Sequence, residues 1–271
     1  MVGKDNKMAN TGQTQNQSPC EQRETLLHNI SVVLVNPKYA GNVGFAARCL
    51  KNMGIGNLLV VRQKAWASPE VQATATPFAR DVVEAIEYYR SMEDALAPMG
   101  FVVGMTARKG SARGPQVSPR EAAQEIVRFA RNNRVALVFG CEDKGLSNSE
   151  LRFCHLIVNI PTAPQFTSIN LSHAVLILCY EIFLAVDNPP QHFVPQVALL
   201  QETEAMFIQM RDFLQHIDFL KKKDPEYWLR HIRQFFGRTK VLSKDVKIVR
   251  GIMRQIEWKI NQNNDLNREK E

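Results

Sequence analysis

The sequence predicts an α/β domain with a parallel sheet covered by helices on both faces, followed by a small helical extension. Three observations carry this. Apolar runs recur along residues 29–187 without the alternation of a half-exposed sheet, which suits strands buried on both sides. Helix-start signals fall between those runs. A proline-rich break, "DNPPQHFVP", then ends the alternation, and only helical spacing follows it.

The strands in order are ISVVLV (30–35), NLLVV (57–61), FVVGM (101–105), VALVFG (135–140) and HLIVNI (155–160), with a weaker one near 86–89. Ser91 with Asp94, Ser118 with Glu121 behind Pro119, and Ser147 with Glu150 have the spacing of a capping box, in which side chains satisfy the free N–H groups of a first helical turn. After the break, 198–220, 225–236 and 243–260 read as helices, the last with Ile248, Ile252, Ile256 and Ile260 at steps of four. The predicted organisation is a disordered polar tail (1–28), the α/β domain (29–187), a linker (188–197), a basic helical extension (198–262) and a second polar tail (263–271).

The 271 residues carry a formal net charge of +7, which favours an anionic partner. The charge is concentrated: residues 219–260 hold 12 Lys and Arg against 4 Asp and Glu, a net of +8. The five cysteines form neither a CxxC pair nor a tight framework, so a reduced cytoplasmic setting is expected, with no metal site. The longest apolar stretch is interrupted by Tyr180 and Glu181 and is too short to span a bilayer, so no membrane partner is expected.

Three loops at predicted strand ends are rich in polar groups. NPKYAGNVGFAARCLKNMG places Gly41 and Gly44 around Asn42 and leads into a helix that turns Ala46, Ala47, Leu50 and Met53 inward and stops at Gly54. Arg48 lies off that apolar stripe, and spacing alone makes it a surface residue. The second loop, GCEDKGLSNSEL, follows a strand yet lacks a Walker lysine or a GxGxxG pattern, so a dinucleotide or triphosphate has little support. Its Cys141 has no histidine beside it and reads as a buried small hydrophobe rather than a nucleophile. The third, IPTAPQFTSINLSHAV, gathers Thr167, Ser168 and Asn170 before an apolar helix, and Ser168 is expected to cap that helix.

In this order and spacing, AGNVGFAARCLKNMG, VALVFGCEDKGLSNSEL and IVNIPTAPQFTSINLSHAVLILCYE resemble the three motifs of the SPOUT methyltransferases, specifically the TrmH-like RNA 2′-O-ribose methyltransferases. FFGRTKVLSKDVKIVRGIMRQIE further resembles the tail of the TrmJ branch, which methylates cytidine or uridine at position 32 of the tRNA anticodon loop. The resemblance spans 30–260. It implies a sheet whose C-terminal part is threaded into a deep trefoil knot, an exception to the rule that chains do not knot. It also implies a homodimer, tRNA as partner rather than DNA, and S-adenosylmethionine as methyl donor.

Carried onto this sequence, the resemblance gives the donor to Gly140, Glu142, Gly145 and Leu146, with Thr106, Ala107, Ile160, Ser168 and Ile169. It gives the chemistry to Asn42, Arg48, Ser168 and Asn170. Because a guanidinium is a poor base, Arg48 is expected to hold an RNA phosphate and orient the ribose. The basic extension, with Lys221, Lys222, Lys223, Arg230, Arg233, Arg238 and Lys240, is expected to neutralise RNA phosphates, while Tyr227, Trp228, Phe235 and Phe236 read as core at helical spacing. An enzyme of the same fold acting on ribosomal RNA, and a knotted RNA-binding protein without catalysis, are the alternatives.

Overall fold

The computed structural model describes residues 18–108, 115–187, 189–190, 194–220 and 225–268. Seven strands form one sheet: β1 (Ile30–Val35), β2 (Asn57–Val61), β3 (Glu87–Tyr89), β4 (Phe101–Met105), β5 (Gln116–Val117), β6 (Val135–Phe139) and β7 (Leu156–Val158). Their order is β3-β2-β1-β6-β4-β7-β5, and every pairing is parallel. Every residue of β1, β4 and β6 is buried, as a sheet covered on both faces requires. β5 is the strand the sequence did not predict; two residues are too few to show a period.

Alternate residues of the strands feed two cores. Val32 and Leu34 of β1 join the face covered by α1 (Pro19–His28), α2 (Ala40–Met53), α6 (Pro119–Ala130) and α8 (Leu171–Val186), with α8 packed against both α2 and α6. Val33 and Val35 turn to the other face, beneath α5 (Met92–Leu96) and the region of α7 (Asn148–Leu151). Short helices α3 (Ser68–Ala75) and α4 (Arg80–Glu84) follow β2. The capping boxes at Ser118 and Ser147 form, and Ser91 accepts from the Asp94 N–H.

Three expectations change. Residues 18–28 are not a disordered tail: Ser18 and Glu21 make a capping box, and Leu26 and Leu27 are buried under the sheet edge. Residues 1–17 lie outside the described residues. The cap of α8 is Asn170, whose side chain accepts from the Ser172 N–H, and Ser168 stands exposed two residues earlier. The described part of the expected linker is fixed to the domain, since Asn132 and Asn133 donate to the Val194 and Pro195 carbonyls and Asn133 Oδ1 accepts from the Val197 N–H.

The extension consists of α9 (Leu200–His216), α10 (Pro225–Thr239) and α11 (Ser243–Arg268), so the last helix runs into what the sequence left as a polar tail. Its own core comprises Ala198, Met206, Phe207, Met210, Phe213, Val246 and Met253. Ile248, Ile252 and Ile256 are exposed, because α11 buries Val246 and Met253 instead of the four-step isoleucine stripe. Among the described residues, no helix is long and apolar enough to cross a membrane.

Candidate active site

The loops after β1, β4, β6 and β7 leave the carboxyl edge of neighbouring strands. After β1 the chain turns at Asn36, whose φ of 48° suits an asparagine, and enters α2. Asn42 in the first turn of α2 is buried, yet it belongs to a polar chain that ties three loops together. Its Nδ2 donates to Glu142 Oε1 at 2.7 Å, and its Oδ1 accepts from Asn170 Nδ2 at 3.1 Å. Glu142 Oε2 accepts from the Lys38 backbone N–H at 2.8 Å, and Asn170 Oδ1 accepts from the Ser172 N–H at 2.9 Å and its hydroxyl at 2.7 Å.

The chemistry fixes the orientation of both amides. An ionised carboxylate only accepts, so Asn42 must turn its NH₂ toward Glu142 and its oxygen toward Asn170. Asn170 must then offer NH₂ to Asn42 and oxygen to Ser172. A network in which each member is satisfied rigidifies its surroundings.

The β6 loop folds tightly back on itself. Gly145 has φ +60° and donates its N–H to the Cys141 carbonyl at 2.8 Å. A Cβ on Gly140 would overlap the Gly145 carbonyl group and the Leu146 nitrogen, so only glycine lets the loop close. Leu146 anchors the loop in the core, while Lys38 Nζ pairs with Asp143 at 2.9 Å on its exposed side.

Thr106, just past β4, is buried and bonded through its backbone N–H to Val158 and through its carbonyl to Asn159 Nδ2. Its hydroxyl accepts from the Arg108 N–H at 3.1 Å. Ala107 is exposed, and Ile160 and Ile169 are half-buried. Asn42, Glu142 and Asn170 thus come together through side chains. Ser168 makes no part of that chain. Arg48 lies on the outer face of α2, exposed and with no ion pair among the described residues, about 9 Å further along the helix axis than Asn42. Lys38, Asn159 and Ser172 were missed; for Lys38 the signal was its place in the same polar loop as Asn42.

The extension divides the predicted basic residues. Arg233 pairs with Glu204, with Nη2 to Oε2 at 2.8 Å, and lies over the Phe207 ring, so it ties α10 to α9. Lys240 Nζ pairs with Glu125 at 2.9 Å and sits 4.5 Å above the Phe129 ring, joining the extension to α6. Both act inside the fold, where sequence spacing pointed to RNA. Arg230 is exposed. Lys221, Lys222 and Lys223 lie outside the described residues, as does the side chain of Arg238. The aromatics expected in a core are partly outside it: Tyr227, Trp228 and Phe235 are exposed, and Trp228 and Phe235 border an apolar groove of about 440 Å³ with Phe213, Phe219 and Met253.

Comparison with known proteins agrees with both halves of this architecture. Residues 29–180 match the SpoU rRNA methylase family, and residues 201–266 match the C-terminal domain of the tRNA methyltransferase TrmJ. The chain is 35% identical over 240 residues to the tRNA (cytidine/uridine-2′-O-)-methyltransferase TrmJ of Yersinia enterocolitica, covering 86% of this chain and 93% of that protein. The TrmJ of Photorhabdus laumondii is 34% identical over 238 residues, 86% of this chain and 98% of its own length. The crystal structure of TrmJ from Z. mobilis ZM4 superposes with a TM-score of 0.74 at 26% identity, covering 84% of this chain and 98% of that one. The loop-built site and the helical extension therefore have one common source: the chain belongs to the SpoU rRNA methylase family, in the TrmJ branch.

Proposed function

We propose that the chain transfers a methyl group from S-adenosylmethionine to a ribose 2′-hydroxyl of tRNA, on cytidine or uridine at position 32 of the anticodon loop, as a homodimer. The observation that carries this reading is the hydrogen-bonded chain Glu142–Asn42–Asn170, which locks three loops together at the start of the helix that carries Arg48. The TrmJ names of the relatives support tRNA as substrate. The exposed Tyr180 and Leu184 on the otherwise apolar α8 support a second copy as partner.

The residues suit the donor. The tight turn at Gly140 and Gly145 presents backbone groups, Leu146, Ile160 and Ile169 supply apolar surface, Lys38 beside the turn is paired with Asp143, and Lys144 of the turn itself is exposed. Such a site fits a molecule without phosphates. When bound, the donor supplies an electrophilic methyl carbon on a sulfonium centre.

The chain's own work is alignment. Arg48 grips a phosphate next to the target nucleotide and holds the ribose oxygen in line with that carbon. Asn42 and Asn170, already oriented by Glu142, offer amide groups to the ribose at no further ordering cost. The 2′-hydroxyl loses its proton as its oxygen bonds to the methyl carbon and the carbon–sulfur bond breaks, the sulfur leaving as a neutral thioether. A guanidinium is a poor base, so the proton passes to the RNA phosphate or to water.

Kinetics on Arg48→Ala test this role. With saturating tRNA, kcat is expected to fall at least 100-fold while donor affinity stays within twofold, the scale of a lost positioning group. Full turnover in that variant would remove Arg48 from the mechanism.

A further inference from the structure

At the carboxyl end of β2, one strand away from the turn that carries Lys38 and Asn42, stands an arginine whose Nη1 has no hydrogen-bonding partner among the described residues. Arg62 directly follows Val61, and its backbone N–H donates to the Tyr89 carbonyl at 2.8 Å, which fixes where the side chain begins. The guanidinium lies against Trp66, with its central carbon 3.3 Å from the ring centroid. Nη1 is shielded from solvent and makes no hydrogen bond, and no carboxylate among the described residues pairs with the side chain. Stacking on an indole accounts for the orientation of the guanidinium, yet it gives Nη1 no acceptor, and a donor left unmade in a buried place costs free energy; the other guanidinium nitrogens of this half-buried side chain are not shielded. A group held in this way is arranged for an acceptor that arrives from outside.

The surroundings restrict what that acceptor is. The loop 62–67 leads from Arg62 into α3, and α3 is fastened to α2, because Thr74 Oγ1 donates to the Gly41 carbonyl at 2.9 Å. Arg62 therefore belongs to the same rigid block as Asn42 and Arg48. Lys64 and Arg90 are exposed along this edge of the sheet. In the strand order β3-β2-β1-β6-β4-β7-β5, the loops assigned to the methyl donor follow β4, β6 and β7, whereas Arg62 follows β2 on the far side of β1. An anion at Arg62 is thus displaced from the donor, on the side of β1 away from the donor loops.

We propose that Arg62 binds a backbone phosphate of the RNA next to the methylated nucleotide, its guanidinium held ready on Trp66. A planar fork stacked on an aromatic ring matches two phosphate oxygens, a geometry that a lysine does not reproduce. The proposal rests on the RNA-methylating reading above and adds to it a second phosphate anchor beside that of Arg48 on α2.

Arg62→Met is the informative variant, because an unbranched thioether fills the same slot over Trp66 while removing every donor. The expected result is a Tm equal to or above wild type, tRNA affinity about tenfold weaker at low salt for all tRNA sequences, and a slope of log Kd against log salt smaller by about 1. Donor affinity, read by calorimetry with S-adenosylhomocysteine, is expected to be unchanged, and Arg62→Lys to recover affinity only in part. Wild-type tRNA affinity and salt slope in Arg62→Met would overturn the proposal and leave Arg62 as a packing residue. A lowered Tm with unchanged RNA binding would do the same. Loss of donor affinity alone would move the anion to the donor's carboxylate and also overturn it. A wild-type protein that binds tRNA with the Arg62-dependent slope yet transfers no methyl group would sink the methyltransferase reading and leave the phosphate anchor standing.

Discussion

Glu142 organises the site although it stands in a turn that also contains exposed charges. It accepts from two donors on two other segments, the Lys38 N–H and Asn42 Nδ2. In Glu142→Gln one side-chain oxygen becomes an NH₂ and faces another donor. The variant is expected to lose about 1–3 kcal/mol in urea unfolding, the cost of an orphaned donor, and to lose methyl transfer with it. His155 makes a second prediction. Its Nδ1 accepts from the Val102 N–H at 3.0 Å, which needs a neutral ring, and burial pushes its pKa down from 6.5 to about 4, with Lys240 adding to the effect. Between these values the unfolded chain binds a proton that the folded chain refuses. The contribution is present in full above the unfolded value and is lost as pH falls toward 4; about 2 kcal/mol should disappear between pH 7 and pH 5. Unfolding of His155→Gln, which can still accept from Val102, should show a correspondingly flatter pH dependence. At this scale the sequence named Asn42, Glu142 and Asn170 through a family resemblance. It could not show that Asn170 rather than Ser168 caps α8, because both side chains can cap and only the backbone path chooses between them.

Elements were legible where burial dictates pattern. Strands β1, β2, β4 and β6 are continuous apolar runs, and the capping boxes at Ser118 and Ser147 mark their helices without ambiguity. Where partners decide, the pattern misled. The isoleucines of α11 repeat every fourth residue, yet the helix meets α9 through Val246 and Met253. The helix α1 was hidden by a polar composition, since it reaches the core through Leu26 and Leu27 at its end. The α2–α3 contact depends on a single missing side chain: a Cβ on Gly44 would overlap the Val71 carbonyl and Thr74 Oγ1. Gly44→Ala is therefore expected to destabilise the fold by about 1–3 kcal/mol despite the better helix propensity of alanine, as thermal or urea unfolding would show. The same change shifts α3 and with it the loop that carries Arg62.

The whole molecule is one sheet domain with a helical extension joined to it at several points. Ala198 donates to the Val241 carbonyl, Leu200 to Met99, and Lys240 pairs across to Glu125. That attachment was not legible in "DNPPQHFVP", where prolines signal a break but not whether the broken segment is packed. It also changes how the basic excess is read, since Arg233 and Lys240 are engaged within the fold. Labelled S-adenosylmethionine is incubated with unmodified bulk tRNA and, separately, with ribosomal RNA, and each product is digested to nucleosides. The expected result is 2′-O-methylcytidine or 2′-O-methyluridine from tRNA, lost in Arg48→Ala. Label in ribosomal RNA alone, or in neither RNA, would contradict the account.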